Sequence, residues 1–277
     1  MAEGDRLPTE IALAIEENMA ALLAYCATAT KGQVHDSPDL FWTLTDAASS
    51  FLNAVVRTRW PAMPEDELNA AIESLLARYR ERQRPFVWWV WPSTSPATLG
   101  EALASCGLTY RGEGPGMAMS LANLPANHTL DLTEGLSIEE VNEHETLAEW
   151  LGAMNVAYGE DADNISAEKL AREALLGLPE ERAARRYRRY LARLDGAPVA
   201  TAFTFVHAGA VGLYGVTTIP QARRRGIGAA VSLAALVAAQ NDGCQFAVLE
   251  SSPLGEPVYR QLGFREASRI RSYVWEP

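Results

Sequence analysis

The chain has 277 residues, 48% apolar and 21% charged, with a formal net charge of −11. This length leaves room for two domains with a sizeable core, and the acidic balance argues against non-specific nucleic-acid binding, which needs a basic surface. Three widely spaced cysteines, Cys26, Cys106 and Cys244, form no Cys-x-x-Cys pair and read as free thiols of a reducing, cytoplasmic compartment. The first residues, with Glu3 and Asp5, form no apolar leader. No stretch reaches roughly 18 unbroken apolar residues, the Ala-rich run after Gly228 coming closest, so no membrane partner is expected.

In chain order, residues 9–28 read as a helix with Ile11, Ile15, Met19, Leu22 and Leu23 on one face. Residues 41–45 and 51–57 have the composition of short strands. Pro64-Glu65-Asp66-Glu67 opens a helix that is acidic at its start and basic at its end (Arg78, Arg80, Arg82), as the helix dipole favours. Residues 86–92 form an aromatic strand. Alternation sets Trp89 and Trp91 on one face and Trp88 on the other, which reads as core and interface packing rather than an aromatic cage. Residues 97–106 form a short helix stopped by Gly107, residues 117–121 a strand closing this half, and residues 125–134 a polar linker.

Beyond the linker, residues 136–141 read as a strand and 144–158 as a helix. An acidic loop (Glu160, Asp161, Asp163) and a second helix over 166–176 follow. Residues 185–193 are strongly basic but include Tyr187 and Leu191, which suggests a sheet-edge strand whose outward charges discourage aggregation. Asp195-Gly196 is a hairpin signal leading into a strand over 197–207, and Ala208-Gly209 turns back into the next strand.

That next strand, with Val211, Leu213, Tyr214 and Val216, ends at Pro220, which has no N–H to continue a ladder. Arg223-Arg224-Arg225-Gly226-Ile227-Gly228-Ala229 then runs into a helix made almost wholly of Ala, Val and Leu. A glycine loop at a helix N-terminus is an anion cradle. The first N–H groups are unpaired, the dipole adds positive charge, glycines admit close approach, and arginines reinforce the field. The matching ligand is a pyrophosphate. Gly-x-Gly alone would read better as a surface turn. Here the motif is Arg223-x-x-Gly226-x-Gly228 after a strand, followed by a second apolar strand (246–249) and a short helix ending Tyr259-Arg260-Gln261-Leu262-Gly263-Phe264. In these motifs, from about Leu136 onward, the chain resembles the GNAT superfamily of acyl-CoA-dependent N-acyltransferases. The loop of that family reads Arg/Gln-x-x-Gly-x-Gly/Ala, and its last helix commonly ends Tyr-x-x-x-Gly-Phe.

The resemblance implies an α/β fold of α+β type, with a mixed, mostly antiparallel sheet flanked by helices. It implies acetyl-CoA as co-substrate and an amine acceptor, of a small molecule or an exposed amino group. The strand end Val216-Thr217-Thr218 would lie along the pantetheine, with the Thr218 N–H polarising the thioester carbonyl. The backbone from Arg223 to Ala229 would hold the pyrophosphate. Tyr259 aligns with the tyrosine that in many members protonates the leaving thiolate. Ser252 and Gly255 stand where many relatives have Asn and Ala, and a serine there can still donate a hydrogen bond. For the base, Glu250 at a strand end is the first candidate, His207 a distant second, and a water relay an equal alternative. No His/Cys/Asp/Glu set has metal spacing, so no metal is expected.

The N-terminal half repeats the element order, with Leu103-x-x-x-Gly107-Leu108 standing where the C-terminal half has Tyr259-x-x-x-Gly263-Phe264. Residues 1–124 thus read as a degenerate GNAT-like domain and 135–277 as the catalytic one. Residues 57–63 contain no glycine, so no coenzyme is expected in the first half. Two functions follow: an N-acetyltransferase, monomeric or homodimeric, or a non-catalytic acyl-CoA-binding regulatory module.

Overall fold

The computed structural model describes residues 8–124, 134–142, 144–159 and 186–277. Among them the chain forms two compact units that interleave along the sequence. One comprises residues 19–115 and 268–277, the other residues 8–18, 116–124, 134–142, 144–159 and 186–267. The first helix, α1 (Pro8–Ala29), and the strands β5 (Thr109–Ser120) and β11 (Arg265–Trp275) each contribute residues to both units.

In the first unit the strand order is β1 (Gln33–Asp36), β2 (Leu40–Leu44), β3 (Ala54–Thr58), β4 (Phe86–Val90) and β11, antiparallel except for β3 against β4. Helix α2 (Glu65–Glu81) follows β3, and the short α3 (Leu99–Ser105) follows β4. The apolar positions of α2 recur every three or four residues, so Leu68, Ile72, Leu75, Leu76 and Tyr79 are buried on one stripe. They pack with Val55, Phe86 and Trp88 of the sheet. The Tyr79 ring stacks on Phe86 at 4.2 Å, and its hydroxyl donates to the Thr43 carbonyl at 3.0 Å.

In the second unit the order is β5-β10-β9-β8-β7-β6, from β10 (Phe246–Glu250) through β9 (Ala210–Thr218), β8 (Ala197–His207) and β7 (Tyr187–Leu194) to β6 (Leu136–Glu140). Only β10 against β9 is parallel; the other assigned pairings are antiparallel. Helix α5 (Ile227–Asn241) packs its Val231, Leu233 and Leu236 with Val211, Leu213 and Leu249 in the core. Tyr214 follows Leu213 and faces the other way, stacking on Phe203, whose ring meets Trp150 of helix α4 (His144–Tyr158) edge-on. A mixed sheet with helices on both faces is therefore present.

Three expectations change. The strand near residue 117 does not close the N-terminal half, because Gly116–Ser120 pairs with β10; the partner of β4 is instead the end of the chain, Arg271–Trp275. Strand β7 is not an edge. It pairs with β6 and β8, and its arginines are engaged: Arg188 with Glu140 and Asp242, Arg193 with Glu139 and Glu149. Finally, the helix closest in character to a membrane span is α1 rather than α5. Residues Glu10–Ala29 are long and apolar enough by length and composition, with 56% of the window buried inside the protein. The expected acidic loop at 159–164, apart from Gly159, and the helix at 166–176 lie outside the described residues.

Candidate active site

The site begins where two parallel strands separate. β9 and β10 pair at three positions, Ala210/Phe246, Val211/Ala247 and Gly212/Val248. Beyond them β9 stays with β8 out to Thr218/Ala200, while β10 stays with β5 out to Glu250/Gly116. A bulge accompanies this opening. Between Thr201/Thr217 and Phe203/Tyr214, the two residues Gly215 and Val216 oppose Ala202 alone, and a bulged strand bends. Gly215 has φ +55°, and a Cβ there would lie 2.7 Å from the Phe203 ring, so both backbone and space require glycine. The bulge is held by Thr201, whose hydroxyl donates to the Gly215 carbonyl (3.0 Å) and lies 2.8 Å from the Thr217 hydroxyl. The Trp150 indole N–H donates to the carbonyls of Tyr190 (3.1 Å) and Ala202 (3.3 Å).

Beyond Thr218, a 3-10 turn at Pro220–Ala222 leads into the glycine loop. Arg224 (φ +62°) and Gly226 (φ +74°) are both left-handed, which folds the loop back onto the start of α5. The first bond of the helix ladder runs from the Ala230 N–H to the Gly226 carbonyl, so the amides of Ile227, Gly228 and Ala229 precede the ladder. No side chain caps this terminus. A Cβ on Gly226 would meet nothing within 4 Å, so the backbone conformation is what requires glycine there. A Cβ on Gly228 would meet only Thr218 Oγ1, at 3.5 Å. The protein would tolerate it, but an anion drawn to these amides would not. The residues therefore fit a pyrophosphate. Arg224 and Arg225 are exposed beside it. The Arg223 side chain is turned elsewhere, donating from Nε to the Thr218 carbonyl and from Nη2 to the Ala157 carbonyl, both at 3.0 Å.

Glu250 ends β10 at the opening, and burial raises its pKa above the ordinary carboxylate range. Tyr259, on helix α6 (Glu256–Leu262), is buried and meets Phe264 edge-on at 5.8 Å. Burial, then Tyr158 and then Glu250 push its phenol pKa well up. Tyr158, on the last turn of α4, also has a raised pKa through burial of its hydroxyl, although 60% of the residue's surface remains exposed. Tyr158 and Glu250 thus both act on the Tyr259 phenol; the resemblance sets Tyr158 in the wall of the acceptor site, without a chemical role. The Ser252 hydroxyl accepts the Gly255 N–H at 3.2 Å, and its carbonyl accepts the amides of Gly255 and Glu256, both at 3.0 Å. Its first duty is to start α6. His207 pairs with Ala210, level with Phe246 and four residues before Glu250, so it stands at the closed end of the strands. Among the described residues no His/Cys/Asp/Glu group has metal geometry.

A parallel pair that splays beside a glycine-started helix, with a tyrosine on the following short helix, defines the architecture as the GNAT acetyltransferase fold, here within a tandem arrangement. The family model described as "Acetyltransferase (GNAT) domain" matches residues 127–250. Among solved structures, a GCN5-related N-acetyltransferase from Kribbella flavida is 20% identical with a TM-score of 0.67, over 93% of this chain and 95% of that one. Another from Sphaerobacter thermophilus is 14% identical with a TM-score of 0.60, over 98% and 94%. A tandem GNAT protein from the clavulanic acid biosynthesis pathway is 16% identical with a TM-score of 0.56, over 86% and 78%. At these identities the likeness is one of fold. No curated protein matches the chain by sequence.

Proposed function

We propose that the chain is an acetyl-CoA-dependent N-acetyltransferase that moves the acetyl group directly from the thioester to an amine. The observation that carries this reading is the splay of β9 from β10, with the glycine-started helix following β9 and Glu250 ending β10 at the opening. Coenzyme A as substrate would be held at its pyrophosphate by the amides around Gly226–Ala229, and along its pantetheine by the free edge of Val216-Thr217-Thr218, with Ser252 opposite.

An amine with pKa of about 10.4 needs roughly 4–5 kcal/mol to reach its reactive form near pH 7. Glu250 takes that proton, directly or through water; its raised pKa makes it a stronger base than an exposed carboxylate. The amine nitrogen bonds to the thioester carbon, and the Thr218 N–H donates to the carbonyl oxygen as charge develops. The C–S bond breaks, the nitrogen gives up its second proton to solvent as the neutral amide forms, and the thiolate takes the proton of Tyr259, whose raised pKa keeps the phenol neutral until then. The proton on Glu250 then returns the phenolate to phenol through solvent. The test is thiol release from acetyl-CoA across a panel of amines, with and without Tyr259→Phe. Coenzyme binding without turnover on any amine would favour a regulatory acyl-CoA-binding module instead.

A further inference from the structure

The arginine that opens the glycine motif would ordinarily be counted among the groups that neutralise the pyrophosphate. Its geometry gives it a different duty. One guanidinium bridges two elements, with Nε on the carbonyl of Thr218 at the end of β9 and Nη2 on the carbonyl of Ala157 in the last turn of α4, both at 3.0 Å. The last carbonyls of a helix have no intrahelical donor and carry partial negative charge, so a fixed cation there is favourable on both counts. Arg's planar fork can serve two acceptors at once. The residue after Ala157 is Tyr158, whose phenol is electrostatically coupled to Tyr259. Val156, on the same turn, is 50% exposed, so apolar contact does little to hold this helix end.

We propose that Arg223 is a positioning residue that holds the last turn of α4, and Tyr158 with it, beside Tyr259, and that it is not a ligand of the coenzyme. This rests on the acetyltransferase reading for its consequence: the side of the site where an amine would enter is fastened to the end of the coenzyme strand. Neither bond involves the coenzyme, so the fastening exists in the free protein. Arg224 and Arg225 remain as the side-chain charges of the cradle.

The test uses the full chain as Arg223→Gln, Arg223→Lys and, for comparison, Arg224→Gln with Arg225→Gln. Hydrogen exchange is measured without coenzyme, and coenzyme A affinity by calorimetry at two salt concentrations. In Arg223→Gln, amides in the last turn of α4 should exchange at least about tenfold faster while the rest of the sheet is unchanged. Coenzyme affinity and its salt dependence should stay within about twofold. The Tyr158 phenol, isolated by subtraction of Tyr158→Phe, should ionise at lower pH than in the wild type. Arg223→Lys, which can reach one carbonyl but not both, should recover part of the protection. The double variant at 224 and 225 should show the reverse, with affinity and salt slope reduced and α4 unaffected. Unchanged exchange at α4, or a tenfold loss of coenzyme affinity in Arg223→Gln, would overturn the assignment. A wild type that binds no coenzyme would sink the acetyltransferase reading, while the exchange measurement would still decide whether Arg223 holds the helix.

Discussion

Gly255 and Tyr259 lie one helical turn apart, and a Cβ on Gly255 would sit 2.9 Å from Cε2 of the Tyr259 ring and 3.2 Å from the Ser251 hydroxyl oxygen. An alanine here would displace the ring. Gly255→Ala should therefore move the phenol and lower turnover by up to about 10²-fold, the usual cost of a misplacement near 1 Å. Coenzyme affinity should change little, since the cradle lies on another helix. Turnover and calorimetry on one preparation check this, and an unaltered rate would mean that the ring position is not critical.

Tyr259→Phe keeps the ring and its edge contact with Phe264 but removes the proton donor. Among the described residues the hydroxyl makes no hydrogen bond, so the melting temperature should barely move. Turnover should fall by roughly 10²–10⁴-fold, the range of a positioned acid. Loss of stability with an intact rate per folded molecule would reassign Tyr259 to the core.

Glu250 sets a pH dependence with two signs. Its folded pKa is raised by burial. The carboxyl therefore contributes stability that is fully present below its unfolded value of about 4.5 and is lost as pH rises through the folded value. Activity runs the other way, since a base works only when ionised, so the rate should rise with pH above the ordinary carboxylate range. Glu250→Gln should remove that rising limb and lower turnover by roughly 10²–10⁴-fold, while leaving the protein no less stable at neutral pH. A pH–rate profile with its low-pH limb intact in the variant would assign deprotonation to water alone.

One coenzyme should bind per chain. In the first unit, β3 and β4 also part, after Ala54/Val87 and Val55/Trp88. That gap is bridged by the Trp88 indole N–H on the Thr58 hydroxyl (3.0 Å) and by backbone bonds of Ser95 to Thr58 and Trp60. The helix that follows β3 starts with Glu65, Asp66 and Glu67, three carboxylates where an anion would need positive charge. Titration with coenzyme A should give a single site, abolished by Gly226→Glu; two equivalent sites would contradict this.

Much of the second unit was legible because its signals are local. Helix α4 falls on residues 144–158 as read, and Asp195-Gly196 and Ala208-Gly209 both turn with positive φ. The glycine loop does open a helix, with Gly226 directly before it, as its type and spacing implied. What was missed depends on distant partners. β1 is exposed at every position and holds a single apolar residue, Val34, so no apolar pattern marks it. Strand β7 carries arginines that look solvent-bound until Glu139, Glu140, Glu149 and Asp242 arrive from other elements. β11 was overlooked altogether, and with it the partner of β4. For Tyr158, named from the resemblance only as part of the acceptor wall, it is the effect on the Tyr259 phenol, about 100 residues later in the chain, that was not legible. A glycine within a strand, Gly215, was the readable sign of the bulge.

Because Gly116–Ser120 flanks β10, the two halves of the sequence are not separable cassettes. A polypeptide begun at residue 135 would hold every residue of the candidate site, yet it would leave one whole edge of β10 without a hydrogen-bonding neighbour, directly behind Glu250. Such an edge invites pairing with other chains. A truncation meant to keep the candidate site intact should therefore begin before Gly116, and recombination between related proteins at the linker would exchange a strand of the site along with the N-terminal half.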